Sequence, residues 1–532
     1  MREFRLHGPP GCGKTRALST VWVPKAVERF GPEAVVICSL TKTAAQEIAS
    51  RDLPIPPRNV GTLHALAYRS IDRPKIATGE RINEWNALEP MLPLSGSVLT
   101  VDDLGGVRGG TKAGDALQAR AEVLRHRLVP RGEWPADVLV FQRRWEVWLA
   151  DAGLVDFTGM IEQALAETTC APGSPAVLLI DEAQDCSALE FALIRKWGKE
   201  CEYLVLAGDG DQAIYGWRGA SASAFLGGGE VAPEDNYHLT QSYRVPRSVH
   251  ATATKWIARA SSRYAVEYLP RDADGSVVHS AGSSRSPMLI IDAAIKDAES
   301  GDVMILATCA YMLDHIVAGL RARGVGFHNP HRPKQVAWNP LQNATRVRAF
   351  MRADPAHDEP RNWTWAECKS WVEVVAAAGN LAPGGKAQIM RMGSDSEVSG
   401  QVMGEEAGRS VLGKSWSAVK RAFASGAAVD WFASRVIPTK LPSLEYALAV
   451  ARKGRLEVKP RICVGTIHSI KGGQAPSVIL LPDLSRSAVR SMGQPASRDG
   501  IIRTMYVGMT RAQSKLTLAG RGSVGAVEWG GV

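Results

Sequence analysis

The segment FRLHGPPGCGKT, residues 4–15, narrows the possible folds more than any other stretch of this chain. A short strand-like run ends in a glycine loop that fits GxxxxGK[ST] from Gly8 to Thr15, and a helix start follows. That order belongs to an α/β fold in which backbone N–H groups and the positive end of a helix surround a phosphate. The candidate nucleotide-binding residues are therefore Gly8, Pro9, Pro10, Gly11, Cys12, Gly13, Lys14, Thr15 and Arg16. Lys14 is placed to reach the β- and γ-phosphates, and Thr15 to offer its hydroxyl to Mg²⁺. Pro24 is expected to kink or end the first helix early.

The matching carboxylates stand in AVLLIDEAQD. Val177 to Ile180 form a continuous apolar run, the pattern of a strand buried on both faces of a parallel sheet. Asp181 and Glu182 emerge at its carboxyl end, where such sheets place their ligands. Asp181 is suited to hold magnesium through water, and Glu182 to polarise an attacking water. An acidic pair at a strand end is common by itself. Combined with the glycine loop, it points to hydrolysis of a nucleoside triphosphate.

At 532 residues the chain is too long for a single compact core, so two or more domains are expected. Hydrophobic residues at 45% and charged residues at 22% fit an ordinary globular enzyme. The net charge of +9 leans towards a polyanionic partner but is spread over a long chain. Eight scattered cysteines without a CxxC pair exclude the usual zinc and iron–sulfur spacings and a disulfide framework. With no apolar stretch long enough to span a bilayer, the expected location is the cytoplasm and no membrane partner is expected.

Further motifs carry a resemblance. DEAQD is similar to DExQD, and LVLAGDGDQAIYGWRGA, residues 204–220, to the motif III of superfamily 1 helicases of the UvrD/Rep/PcrA type. LTQSYR resembles LxxNYR, VGTIHSIKGGQ resembles TIHxxKGLE, and YVGMTRA resembles YVAxTRA. VVICSLTKTAAQEI, VGTLHALAYR and GLVDFTGMIEQAL stand where the family has TxTNKAAxEM, GTFHxLAxR and its DFxDLL segment. The motifs run in family order from residue 8 to residue 513.

The Gln212 amide is suited to sensing the γ-phosphate or its water. By the resemblance, Tyr243 stacks on the base, Arg244 and Arg511 bind the γ-phosphate, and Gln474 replaces a glutamate that contacts the ribose. Two arginines from beyond the first ATPase core imply a site closed between two domains, since each delivers a planar donor fork to phosphate charge. Only seven residues precede Gly8, where the family has a segment with an adenine-reading glutamine. Looser base selectivity, held by Tyr243 and contacts near Arg16, is expected on that ground. The tail after Arg511 is short, so a helicase–nuclease fusion is not expected.

Tyr215 and Trp217 offer π-faces for successive bases, with Arg218 adjacent. Alone, each aromatic would read as core. GTLHA and GTIHS are near-duplicates, so Thr62, His64, Thr466 and His468 read as equivalent loops suited to sugar–phosphate contacts. Leu40 replaces a stacking phenylalanine of the family.

The repetition and the resemblance imply an α/β fold of two RecA-like P-loop NTPase domains, each with an inserted, mostly helical subdomain. Residues 1–69 and 151–242 would form the first, 70–150 its insert, 243–329 and 460–532 the second, and 330–459 the second insert. Six tryptophans in that last segment, Trp338, Trp363, Trp365, Trp371, Trp416 and Trp431, read as a small core or as a duplex-contact surface, with core preferred. The resemblance implies an ATP- and Mg²⁺-dependent DNA helicase moving 3′ to 5′ on single-stranded DNA, acting on single-stranded and tailed duplex DNA with accessory replication or repair proteins. An RNA-directed relative and a nucleic-acid-dependent ATPase that remodels protein–DNA complexes without unwinding are the alternatives.

Overall fold

A computed structural model describes every residue except 41, 97–99, 102–106, 109–111, 221–224, 226–230, 334, 352–361 and 531–532. Most of the glycine-punctuated stretch expected inside the first insert, residues 101–115, lies outside the described residues.

The first sheet contains β1 (Arg2–His7), β2 (Val35–Ser39), β3 (Val60–Thr62), β4 (Val177–Asp181), β5 (Tyr203–Gly208) and β6 (Asn236–His238), in the order β6-β1-β5-β4-β2-β3. All five pairings are parallel. The run Val177–Ile180 is an interior strand with every residue buried. Val177 and Leu179 pack with Leu6, Leu18, Ile37 and Val205, whereas Leu178 and Ile180 pack with Leu66, Ile161, Leu193 and Trp197. Successive side chains of a strand point to opposite faces, so an unbroken apolar run is what a sheet covered on both sides requires. The register pairs His7 with Gly208 and Ser39 with Asp181. The glycine loop after β1 and the carboxylates after β4 thus share one edge of the sheet.

The helix after the loop corrects the expectation for Pro24. It begins as α1 (Lys14–Ala17), widens into a π-turn over Leu18–Trp22, and continues as α2 (Val23–Phe30) with Pro24 in its first turn. Val23 N–H bonds to Leu18 O, five residues back. Proline lacks an N–H, and a wider turn just before it lets the helix carry on rather than break.

Between β2 and β4 lie α3 (Lys42–Ala49), α4 (Leu63–Ser70), α5 (Gly79–Leu88), α6 (Asp115–His126), α7 (Ala136–Asp151) and α8 (Phe157–Glu167), and α9 (Ala188–Lys199) follows β4. The segment 70–150 has its own small core of Trp85, Phe141, Trp145, Trp148 and Leu149. Its buried indoles find acceptors: Trp85 Nε1 donates to Leu92 O at 2.9 Å, and Trp145 Nε1 to Asp156 Oδ2 at 2.8 Å.

After the first sheet, β7 (Gln241–Pro246) pairs with β8 (Leu269–Arg271). The second sheet takes β9 (Ser276–His279), β10 (Val303–Ala307), β11 (Phe327–His328), β12 (Ile462–Thr466), β13 (Ala475–Leu480) and β14 (Ala512–Leu518), in the order β9-β14-β13-β10-β12-β11. Between β10 and β11 lie a helix and its glycine stop. A helix spans Asp314–Ala322 with Ile316 and Leu320 buried, and Gly324 ends it at a φ of 56°. Two parallel six-stranded sheets with flanking helices fit two RecA-like domains.

By contact density the chain divides into two compact units. One joins Met1–Ala281, Leu306–Met312 and Thr466–Val532; the other joins Gly282–Ile305 and Leu313–Gly465. In the second unit the described residues of 330–459 form helices around a core that includes Phe350, Trp363, Trp365, Trp371, Trp416 and Phe432. Trp431 packs against its rim and Trp338 is half-buried outside it. Phe350 stacks on Phe432 with ring centroids 4.4 Å apart. Phe350→Ala is expected to destabilise this unit by about 3–5 kcal/mol, read as an earlier transition in urea unfolding followed by tryptophan fluorescence.

Candidate active site

The glycine loop is closed around its own lysine. Lys14 is buried and donates through Nζ to Gly8 O at 2.7 Å. Gly11 and Gly13 have φ near +80°, a region that favours glycine. At Gly11 space adds a second reason, since a Cβ there would lie 2.6 Å from Arg244 Cβ and 2.7 Å from Ser242 Oγ. Three groups from the β7–β8 segment clasp the loop: Ser242 Oγ donates to Pro10 O at 2.9 Å, the Tyr268 hydroxyl to the same oxygen at 3.0 Å, and Tyr243 N–H to Gly11 O at 2.9 Å. Cys12 N–H bonds to Pro9 O, and burial pushes the Cys12 thiol up to about 12, so it stays neutral. The Tyr243 side chain is 72% exposed and Arg16 is also exposed, which leaves both free to meet a base.

The sheet edge brings the carboxylates to the loop. Thr15 Oγ1 donates to Asp181 Oδ2 at 2.7 Å. Burial, with Glu182 adding repulsion, pushes the Asp181 carboxyl up to about 6. Burial opposes ionisation of Glu182 too, but Lys471 and Lys14 hold it down to about 2. Glu182 adopts the left-handed backbone region at φ 56°, an uncommon conformation for a residue with a Cβ. From Glu182 a continuous set of hydrogen bonds crosses the site. Gln184 Nε2 donates to Glu182 Oε2 at 2.6 Å and Gln184 Oε1 accepts from Asp209 N–H at 3.0 Å. Gln212 Nε2 donates to Asp209 Oδ2 at 2.7 Å, and Arg511 Nη2 donates to Gln212 Oε1 at 2.9 Å.

Arg244 and Arg511, far apart in sequence, both reach this edge. Arg244 Nε donates to Gln474 Oε1 at 2.6 Å. Burial lowers the pKa of Arg244, and burial plus Arg244 itself lowers Arg511 to about 9. Neither has a carboxylate ion-pair partner among the described residues. Two desolvated cations that repel each other are poised to gain from added negative charge.

The structure therefore brings together Lys14, Thr15, Asp181, Glu182, Gln212, Arg244, Gln474 and Arg511. It also adds groups that motif reading passed over. Lys471 Nζ bonds to Asp185 Oδ2, donates to Gln212 O at 2.9 Å, lies 3.6 Å from Glu182 Oε2 and sits 5.3 Å from the Tyr215 ring centroid. Lys471, Gln184 and Asp209 each stand inside a motif quoted from the sequence. Tyr268 stands in none, and only folding reveals it.

The nucleic-acid candidates separate into two sorts. Thr62 and Thr466 occupy equivalent positions as the last residues of β3 and β12, and each accepts a backbone N–H three residues on, from Ala65 and Ser469, at 3.2 Å. Both hydroxyls thus serve as caps at the start of a helical turn. His64 lies 3.9 Å from Glu190 Oε1, and burial lowers its pKa. His468 Nε2 donates to Ile214 O at 3.1 Å. Tyr215 is buried between Lys471, Trp217 and His468, so its ring is not the open stacking face expected of it. Trp217 and Arg218 are half-buried in a 3₁₀ turn, and Trp217 Nε1 has no hydrogen-bond partner among the described residues. Phe157, missed by motif reading, is 58% exposed with its ring 6.4 Å from that of His64. Gly11→Ala is expected to push β7 off the loop and to cost about 1–3 kcal/mol of stability, with loss of triphosphate binding in calorimetric titration.

A family described as an AAA domain matches residues 2–218. A probable DNA helicase II homolog of Mycoplasma pneumoniae is 30% identical over 114 residues, which are 21% of this chain and 16% of that protein. A probable DNA helicase of the same organism is 23% identical over 286 residues, 47% of this chain and 51% of the relative. The ATP-dependent DNA helicase PcrA of Staphylococcus aureus is 31% identical over 101 residues, 19% and 14% of the two chains. The chain spans about half or less of the length of these relatives. The ordered motifs, the two parallel sheets and these likenesses support a likeness to UvrD/PcrA-type superfamily 1 helicases.

Proposed function

We propose that this protein is an ATP-dependent DNA helicase or translocase that couples hydrolysis between two RecA-like domains to movement along single-stranded DNA. The observation that carries the reading is the unbroken hydrogen-bonded path from Glu182 through Gln184, Asp209 and Gln212 to Arg511. Lys471 joins that path to Tyr215, beside Trp217. A change in phosphate charge at one end has a direct physical route to the loop that offers a base-stacking face.

Each residue's part follows from its position. Lys14 leaves Gly8 O for the β- and γ-phosphates. Arg244 and Arg511 meet the charge that develops on the transferred group. Glu182, ionised at neutral pH, accepts hydrogen bonds from the attacking water and orients it, and Gln212 reports the state of the γ-phosphate to Arg511. Tyr243 and Arg16 receive the base and Gln474 the ribose. Thr15 and Asp181 supply the hard oxygen donors that Mg²⁺ takes, and they would hold that ion; when bound, it neutralises phosphate charge.

On the nucleic-acid side, Trp217 and Phe157 offer rings and Arg218 a cation. The caps at Thr62 and Thr466 orient the loops that carry His64 and His468. By the motif resemblance to the UvrD/Rep/PcrA family, movement runs 3′ to 5′, tailed duplexes are substrates, residues 70–150 and 330–459 act as inserts in the two domains, and the setting is cytoplasmic. No helix among the described residues is long and apolar enough to cross a membrane, and the cysteines are free thiols.

Steady-state hydrolysis alone, with single-stranded DNA and with single-stranded RNA tests the reading. Stimulation by DNA is expected; stimulation by RNA alone would redirect it to RNA, and none by either would overturn it. Lys14→Ala should abolish turnover. Trp217→Ala should weaken DNA binding by about 1–3 kcal/mol, or about 5–150-fold, while DNA-free hydrolysis persists. Because Asp181 serves as a carboxylate and titrates near 6, kcat/KM for Mg·ATP should fall as pH drops below about 6.

A further inference from the structure

Behind the candidate nucleic-acid loop at Thr62 and His64, a groove of about 440 Å³ runs between β3 and the carboxyl half of α4. Three arginines line it, Arg58 from the approach to β3, Arg69 from α4 and Arg73 from the turn beyond, together with Tyr68. Ala65, Tyr68 and Arg69 share one face of α4 at spacings of three and four residues. Arg69 is held in place, donating through Nε to Ala65 O at 3.2 Å and through Nη1 to Arg58 O. Burial lowers the pKa of Arg69, and Arg73 and Arg58 lower it further. Like charges that crowd one another gain from an anion between them.

Among the described residues the neighbouring acids supply an anion to Arg58 alone. Glu33 pairs with Arg58. Asp72 is exposed and makes no ion pair with any of the three arginines, and the Arg73 guanidinium has no partner among the described residues. The Tyr68 hydroxyl is likewise unpartnered while its ring packs on the core. The backbone adds an independent observation. Asp72 and Arg73 both adopt left-handed φ, 55° and 56°, just before Pro74, and Arg73 N–H bonds back to Tyr68 O at 3.0 Å. Two consecutive strained non-glycine residues persist only where the surroundings over-determine them. Here they turn the chain so that Arg73 lines the groove beside Arg69.

We propose that this groove, formed by Arg58, Arg69, Arg73 and Tyr68, is a second nucleic-acid contact that takes backbone phosphates of a strand leaving the Thr62–His64 loop. The inference rests on the DNA reading above and extends the track along the whole of α4. Guanidinium groups and a phenol hydroxyl are phosphate donors and carry no base preference, so the site adds affinity without sequence selectivity.

The test is fluorescence anisotropy of labelled oligothymidine and of a labelled tailed duplex across a salt series, with wild type, Arg73→Gln and Arg69→Gln/Arg73→Gln. Arg73 makes no side-chain bond, so Arg73→Gln should keep the wild-type melting temperature. It should weaken binding severalfold at low salt and reduce the slope of log K against log salt by about 0.7 on the single strand. A reduction of about 0.9 confined to the duplex would keep the phosphate site and assign it to duplex DNA. Unchanged affinity and slope in both variants, with wild type binding normally, would overturn this inference alone. Failure of the wild type to bind either probe would overturn the DNA reading and this site with it.

Discussion

Lys471 carries the one buried charge on which the rest of the site depends. An ammonium removed from water is stable only if paired, and Asp185 together with Glu182 supplies the pairing. Burial works against its charge, but those two carboxylates raise its pKa overall. The bond to Gln212 O and the position over Tyr215 follow from where that pair must sit. With Lys14, Lys471 keeps Glu182 ionised, and it fixes the carbonyl of Gln212 and closes off the Tyr215 ring. Removing it would leave the buried Asp185 and the half-buried Glu182 without that cation.

The two sides of the phosphate site are stabilised in opposite senses. Carboxylates near the loop are held by hydrogen bonds and cations already in the protein. Arg244 and Arg511, in contrast, are desolvated beside each other and satisfied only by amide and carbonyl oxygens. That imbalance is an electrostatic preference for a polyanion at this edge. Strain is also concentrated here: Glu182 sits in the left-handed region directly after a fully buried strand, so the carboxylate is aimed by the fold and not by its own preference.

Much of this was legible from residue patterns. The apolar run Val177–Ile180, the glycine loop and the repeated GTxH segments correspond to β4, the loop after β1 and two equivalent strand-to-turn junctions, because each is a local pattern with a local physical cause. Pro24 was not legible: a missing N–H permits either a break or a widened turn, and only packing of Leu18 and Val23 against the sheet selects the turn. Tyr215 was misjudged for a related reason. An aromatic in a glycine-flanked loop reads as exposed until a cation more than two hundred residues later, Lys471, is found beneath it.

Residue types and short spacings were enough to name the chemistry on offer: a glycine loop of phosphate-binding pattern, an acidic pair at a strand end, distant arginines and a set of rings. These are fixed by residue type and short spacing, which act through backbone geometry over a few residues. Only the tertiary structure decided which groups meet. Tyr268 and Ser242 clasp Pro10, Arg511 reaches Gln212, and Arg58, Arg69 and Arg73 gather along one groove, because sheet register and helix packing bring together residues that no local pattern connects. Coulomb energy depends on separation in space and not along the chain, so the partners of a buried charge are a property of the fold and not of the sequence around it.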